Sequence, residues 1–125
     1  MIDKISTPNA PGAIGPYSQG VVFNNLVFTS GQIAINPQTN RIEAQTIEEQ
    51  AEQVMKNLKA ILEAAGSGLD KVIKTTCFLS DMKDFEVFNS IYEKYITTKP
   101  ARSCVAVKQL PKNVLVEVEA IAVKE

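Results

Sequence analysis

Apolar positions along this chain switch between a spacing of two and a spacing of three to four, and the switches mark out its elements. Val21 to Phe23 and Leu26 to Ile33 are apolar runs on either side of Asn24-Asn25, a pair that tolerates the positive backbone angles of a tight turn. They predict an antiparallel hairpin. Thr46 and Glu49 form a capping box, and Ile47, Ala51, Val54, Met55, Leu58, Ile61, Leu62 and Ala65 then recur at helical spacing as far as Gly66. Glu52 with Lys56 and Lys59 with Glu63 are opposite charges four residues apart, which predicts a solvated outer face. Val72 to Leu79 reads as a strand. A second helix is predicted from Phe85 to Ile96, with Phe88, Ile91, Tyr92 and Tyr95 on its inner stripe, before Pro100 forbids continuation. Ser103 to Val107 and Val114 to Val123 read as strands of a final hairpin, separated by Leu110-Pro111-Lys112-Asn113.

The order strand, hairpin, helix, strand, helix, hairpin predicts an α+β fold, a mixed β-sheet with two helices on one face. Two helices leave the other face open, and the last strand shows what that face would look like. Residues two apart share a face of a strand. Val114, Val116, Val118, Ala120 and Ala122 form an apolar set suited to the helices, whereas Leu115, Glu117, Glu119, Ile121 and Val123 mix apolar and acidic side chains. An apolar patch of that kind predicts an interface, and hence a homo-oligomer of cyclic symmetry whose subunits cover one another's open sheet faces.

Composition narrows the class. A length of 125 residues suits one domain spanning 1–125. No apolar run approaches the ~20 residues needed to cross a membrane, and Met1-Ile2-Asp3-Lys4 lacks the regions of a secretory signal, which points to the cytoplasm. Cys77 and Cys104 fall in apolar strand-like runs, where a reduced cysteine serves as a small core residue. With no histidine and no cysteine cluster, no metal site is expected. A net charge of -1 with scattered lysines gives no electrostatic footprint for nucleic acid, an unlikely partner on this reading. The Pro/Gly-rich stretch from Thr7 to Pro16 reads as an ordered or binding loop.

In a chain without histidine, the candidate chemistry rests on Pro100-Ala101-Arg102-Ser103-Cys104-Val105 and Glu117-Val118-Glu119-Ala120. A guanidinium forks onto a carboxylate or phosphate and stays charged at any working pH, so Arg102 is an anion anchor and a glutamate handles protons. Arg102 and Cys104 share a strand face, and a final hairpin would bring Glu117 opposite them in one cleft. The competing reading is an ordinary interstrand ion pair of Arg102 with Glu117, worth ~0–1 kcal/mol. Cys104 has no neighbouring base in the sequence pattern and reads as passive. Glu119 shares the face of Glu117 and ranks below it as the base.

The segments Ala10-Pro11-Gly12-Ala13-Ile14-Gly15-Pro16-Tyr17-Ser18-Gln19, Ser30-Gly31-Gln32 and Pro100 to Val105, with the spacing from Arg102 to Glu117, resemble the reactive intermediate deaminase A (RidA, YjgF-like) family over essentially the whole chain. The resemblance implies a chorismate-mutase-like α+β domain assembled as a homotrimer with sites between subunits. It also implies hydrolysis of 2-imino acids and their enamine tautomers, such as 2-aminoacrylate, to 2-oxo acids and ammonia, without a cofactor. On this resemblance Arg102 binds the substrate carboxylate with help from the Gly31 amide. Glu117 deprotonates water, kept ionised by a nearby guanidinium, and Tyr17, Ser30, Asn89 and Cys104 line the pocket. A ligand-binding metabolic regulator or holdase-like chaperone is the alternative, and an endoribonuclease stands third.

Overall fold

A computed structural model describes residues 1–125. Its strands are β1 (Ile2–Ile5), β2 (Gly20–Phe23), β3 (Leu26–Thr29), β4 (Val72–Leu79), β5 (Ala101–Ala106) and β6 (Val116–Val123), and its helices are α1 (Ile47–Ala64) and α2 (Phe85–Tyr95). The strands make one mixed sheet in the order β1-β2-β3-β6-β4-β5. Every neighbouring pair is antiparallel except β4 and β5.

Local sequence explains where the elements begin and end. Phe23 pairs with Leu26 across Asn24-Asn25, and Asn24 takes a φ of 55°, a conformation asparagine tolerates better than most residues. Thr46 Oγ1 accepts from the Glu49 amide at 3.2 Å to cap α1, and Glu49 Oε1 in turn accepts from the Gln45 amide at 3.3 Å. At the other end Gly66 adopts a φ of +82°. The Ser67 amide reaches Leu62 O at 2.8 Å and the Gly66 amide reaches Glu63 O at 3.1 Å, the pairing of a glycine-terminated helix.

Both helices lie on one face of the sheet. Val54, Met55, Leu58, Ile61 and Leu62 of α1 and Phe88, Ile91 and Tyr92 of α2 are buried against Val27, Cys77, Leu79, Val116, Val118, Ala120 and Ala122. Truncating a fully buried leucine here, such as Leu58, removes about 2–5 kcal/mol. The register of β4 on β6 slips between Val72 and Lys74, so that Val72 and Thr75 both turn inward and Ile73 is left exposed. The opposite face is open, and Phe23, Phe28, Phe78, Val105, Ile121 and Val123 on it are partly or largely exposed. No helix is long and apolar enough to cross a membrane.

The fold class, α+β with a mixed sheet and two helices on one face, is as the pattern predicts, but its last part is arranged differently. β5 and β6 form no hairpin. Instead, α2 carries the chain across from β4 to β5, which pairs in parallel on the outer edge, as a strand–helix–strand crossover requires. Residues 107–115 then lead past β4 to β6, which inserts between β3 and β4. A strand apolar on one face and half-apolar on the other suits a central position better than an edge. β6 begins at Val116 because the Leu115 amide is diverted to Gln50 Oε1 (2.9 Å). β3 ends at Thr29, short of Ile33, and the Ser30 amide still bonds Gln19 O (2.9 Å), the next pair in the register of β2 on β3. Glu52 also departs from expectation. It faces α2, bonding the Tyr95 hydroxyl and lying 3.7 Å from Lys94, and makes no pair with Lys56.

A candidate active site in two halves

The first half is a cleft of about 690 Å³ on the open side, lined among others by Tyr17, Ser30, Gly31, Lys112, Glu117 and Glu119. Its near wall is the Thr7–Pro16 stretch, whose backbone has no ladder to join. Gln19, buried, serves that backbone instead. Its Oε1 accepts from the Thr7 amide at 2.7 Å, and its Nε2 donates to Thr7 O (3.0 Å), Ala10 O (3.2 Å) and Pro11 O (2.8 Å). An amide can serve donors and acceptors together, and one residue thereby orders the loop that carries Tyr17. The Ser30 hydroxyl donates to Ser18 O at 2.5 Å and closes the loop from below. Asn57 fixes the far wall by donating to Ile33 O (3.1 Å) and Ile35 O (2.9 Å). Sequence reading assigned no role to Gln19 or Asn57. The available signal was an amide side chain beside backbone that no strand or helix satisfies.

Glu117 lines this cleft from β6. Gln32 and Val118 exchange both backbone hydrogen bonds, at 2.8 and 3.1 Å, which lays Gly31 flat against the neighbouring side chain of β6. A methyl group on Gly31 would collide with Glu117 Oε2. A larger residue here fits only if the Glu117 carboxylate swings away from its place, since the backbone conformation itself is one any residue adopts. Burial first, and the Glu119 carboxylate second, push the Glu117 carboxyl above its ordinary value.

The second half lies on the helix face. Arg102 Nη1 donates to Asn89 Oδ1 at 2.7 Å. Its guanidinium carbon is 5.0 Å from the centre of the Tyr92 ring and 5.6 Å from that of Phe85. The Tyr92 hydroxyl is bonded to Thr75 Oγ1 at 2.7 Å in the interior. Cys104 is the register partner of Cys77 across β4 and β5. Burial first, and Cys104 second, push the Cys77 thiol up to about 12. Burial also raises Cys104, against the opposing pull of Arg102. Neither is a thiolate nucleophile at neutral pH.

The seven residues singled out from the sequence thus fall into two sets. Arg102, Asn89 and Cys104 gather on one side of the sheet, and Tyr17, Ser30, Gly31 and Glu117 on the other. Strand register shows why. Arg102 is opposite Thr75 and Cys104 opposite Cys77, and Cys77 is in turn opposite Val118. Side chains in register share a face, so Arg102 and Cys104 share the face of Val118, and Glu117, one residue away, points to the other. The expected single cleft of Arg102, Cys104 and Glu117 does not exist within one chain. Nor does a guanidinium of this chain keep Glu117 ionised, and the two residues form no interstrand ion pair. The hairpin expectation produced these errors, because a β4 inserted between β5 and β6 changes which residues are neighbours.

Residues 7–124 match the family model described as Endoribonuclease L-PSP. The 2-iminobutanoate/2-iminopropanoate deaminase of Escherichia coli K12 is 50% identical over 128 residues, covering 99% of both chains. A Lactococcus lactis protein named as a regulator, AldR, is 56% identical over 119 residues, 94% of both chains. The Escherichia coli protein TdcF, solved with bound serine, superposes with a TM-score of 0.94 at 47% identity, over 98% of this chain and 99% of that one. The chain belongs to the Endoribonuclease L-PSP family, the RidA/YjgF family that its motifs resemble.

Proposed function

We propose that this protein hydrolyses 2-imino acids such as 2-iminobutanoate and 2-iminopropanoate, with their enamine tautomers, to 2-oxo acids and ammonia. The site is composite, in the clefts of a cyclic homotrimer. The observation that carries this reading is the placement of Arg102 and Glu117 on opposite faces of one sheet, each in its own polar setting. An anion anchor and a base separated by a sheet serve one small substrate when a second copy brings its helix-side Arg102 to the open-face cleft. The exposed apolar residues of that face are the surface such a copy would cover.

The reaction then divides between the halves. Arg102 of one copy grips the substrate carboxylate, and the backbone of Gly31 in the next approaches it closely. An enamine first takes a proton at its terminal carbon to become the imine. The protonated imine carbon is already electrophilic, so positioned water and a base suffice for attack. Glu117 takes a proton from water as its oxygen bonds to that carbon, and the C=N pair shifts to nitrogen. Returning that proton to the nitrogen of the tetrahedral adduct expels ammonia, while the freed Glu117 carboxylate takes the adduct's hydroxyl proton as the C=O forms and then releases it to the departing ammonia. A carboxyl with proton affinity raised by burial suits both transfers. Arg102, Asn89 and Tyr17 orient and enclose, and Cys104 contributes shape.

Relatives support the reading, since the deaminase of Escherichia coli is half identical end to end. The regulator name of the Lactococcus relative gives the alternative, ligand binding without turnover. Two carboxylates in the cleft oppose a phosphate backbone and disfavour an RNA substrate. The test is complementation. Imines are generated in situ by an amino-acid oxidase, and 2-oxo acid formation is followed with Arg102→Ala and Glu117→Gln proteins alone and after mixed reassembly. Each alone is inactive, and the mixture regains about a quarter of the sites if one copy supplies Arg102 and its neighbour Glu117. A mixture as inactive as its components rules out the composite site. Wild-type protein that binds 2-oxo acids without accelerating hydrolysis makes the regulator reading correct.

A further inference from the structure

Phe85, Asn89 and Tyr92 are spaced by four and by three on α2 and therefore form one stripe of that helix. All three touch the same guanidinium: the rings of Phe85 and Tyr92 lie beneath it, and Asn89 Oδ1 takes one hydrogen of Nη1. The ring of Tyr92 is itself fixed. Tyr92 is buried, and its hydroxyl meets Thr75 Oγ1 at 2.7 Å on β4, whose side chain is wholly enclosed. Thr75 is also the register partner of Arg102. The chain thus closes a circuit from strand to helix and back to the adjacent strand, with the guanidinium at its end.

We infer that Tyr92, locked by Thr75, is a positioning residue of the anion site, carrying Arg102 on its ring face and, with Asn89, reserving the Nε–Nη2 edge of the guanidinium for a planar carboxylate. With one Nη1 hydrogen committed to Asn89, the Nε–Nη2 edge is the fork that stays whole. The two rings and Asn89 occupy the rest of its surroundings, so ligands reach the guanidinium at that edge, which matches the two side-by-side oxygens of a carboxylate. The carboxylate assignment rests on the deaminase reading above. The seating of Arg102 by Tyr92 does not.

The chain has two arginines, Arg41 and Arg102, and Arg41 is exposed beside Glu43. Side-chain Nε–Hε NMR of the assembled protein therefore shows at most two signals, and the seated one is expected to resist water exchange and rotation. In Tyr92→Leu that signal should collapse to the behaviour of Arg41. A protected signal unchanged in Tyr92→Leu overturns the seating, whatever the protein's activity. Affinity for 2-oxobutanoate, by calorimetry, should fall about tenfold in Tyr92→Leu and about threefold in Tyr92→Phe. In turnover the loss should fall on KM, with kcat nearly unchanged. The Tyr92→Phe variant leaves the Thr75 hydroxyl without its partner, and adding Thr75→Val removes that cost. The double variant should thus regain melting temperature but not affinity. Recovery of both together would make the Tyr92–Thr75 bond merely structural. Wild type that binds phosphate or sulfate as tightly as 2-oxobutanoate overturns the carboxylate assignment. Wild type that binds no 2-oxo acid, with its Nε–Hε signal still protected, removes the deaminase reading and the carboxylate assignment while the seating stands.

Discussion

The two halves of the site are built by opposite means. Arg102 is held by side chains of its own chain: a carbonyl oxygen at one nitrogen, two aromatic rings beside it, and a buried hydroxyl pair holding one of those rings. Glu117 is held by backbone. Glycine at position 31, the Gln32–Val118 pairing and a loop ordered around Gln19 give it space and place, and its nearest titratable influence is the like charge of Glu119. The proposed anchor has its supports within one chain, whereas the proposed base is half-buried with no cation paired to it. That asymmetry explains why the proposed second copy acts on the two differently. It brings a preformed anchor to a carboxylate whose charge is costly until a cation arrives.

The largest effect that sharpens this contrast comes from removing each centre conservatively. Arg102→Lys keeps the charge and loses the fork and the ring-stacked plane, so it should impair turnover nearly as much as Arg102→Ala and lose 2-oxobutanoate binding by calorimetry. Glu117→Gln keeps the shape and loses the base, and should slow kcat by about 10²–10⁴-fold while 2-oxo acid binding is retained. Near-normal turnover in Arg102→Lys defeats the bidentate role. Loss of binding in Glu117→Gln makes that residue structural.

A smaller effect tests the backbone-built half alone. Gly31→Ala forces a methyl group into Glu117 Oε2, so the carboxylate must swing away. Turnover should drop by up to about 10²-fold with the Arg102 half intact, the scale on which a misplacement of about 1 Å costs. Gly12→Ala, at a cleft glycine with open space around it, is the control and should be neutral. Equal activity in the two variants would mean that the position of Glu117 against Gly31 does not matter.

Much of this fold was legible because its signals are local. The α1 boundaries follow from Thr46, Glu49 and Gly66, and the inward face of β6 follows from alternation alone. The partners of β5 were not legible, because periodicity says which residues face inward and nothing about which strand lies beside which. The connection between the two predicted strands, residues 108–113, carries no Asn-Gly or Asp-Gly pair, and that was the available warning against a tight hairpin. The site followed suit. Each chosen residue has a definite place on one face or the other, yet Asn89 contacts Arg102 and Ser30 ties down Ser18. Their division between faces depends on tertiary pairing, to which alternation along a strand is blind.

The subtlest measurement is the titration of Glu117, read from its carboxyl carbon by NMR in the assembled protein. Within one chain, burial and Glu119 raise its pKa, with Lys112 and Tyr17 the other titratable side chains lining the cleft. If a neighbour's Arg102 reaches that cleft it opposes both effects, and Arg102→Ala should move the titration to higher pH. If Arg102 acts only within its own chain, on the far side of the sheet, the titration should not move. Glu119→Gln should move it the opposite way by a smaller amount. The sign carries over to stability. A carboxyl whose folded pKa lies above its unfolded value weakens the fold as pH rises through the window between them, and costs nothing below the unfolded value. Arg102→Ala should therefore lower the melting temperature more at pH 7 than at pH 4, and Glu119→Gln should restore part of the loss. A stability loss in Arg102→Ala that is the same at both pH values would report only the broken contacts with Asn89, Phe85 and Tyr92, and would place the anchor and the base in separate sites.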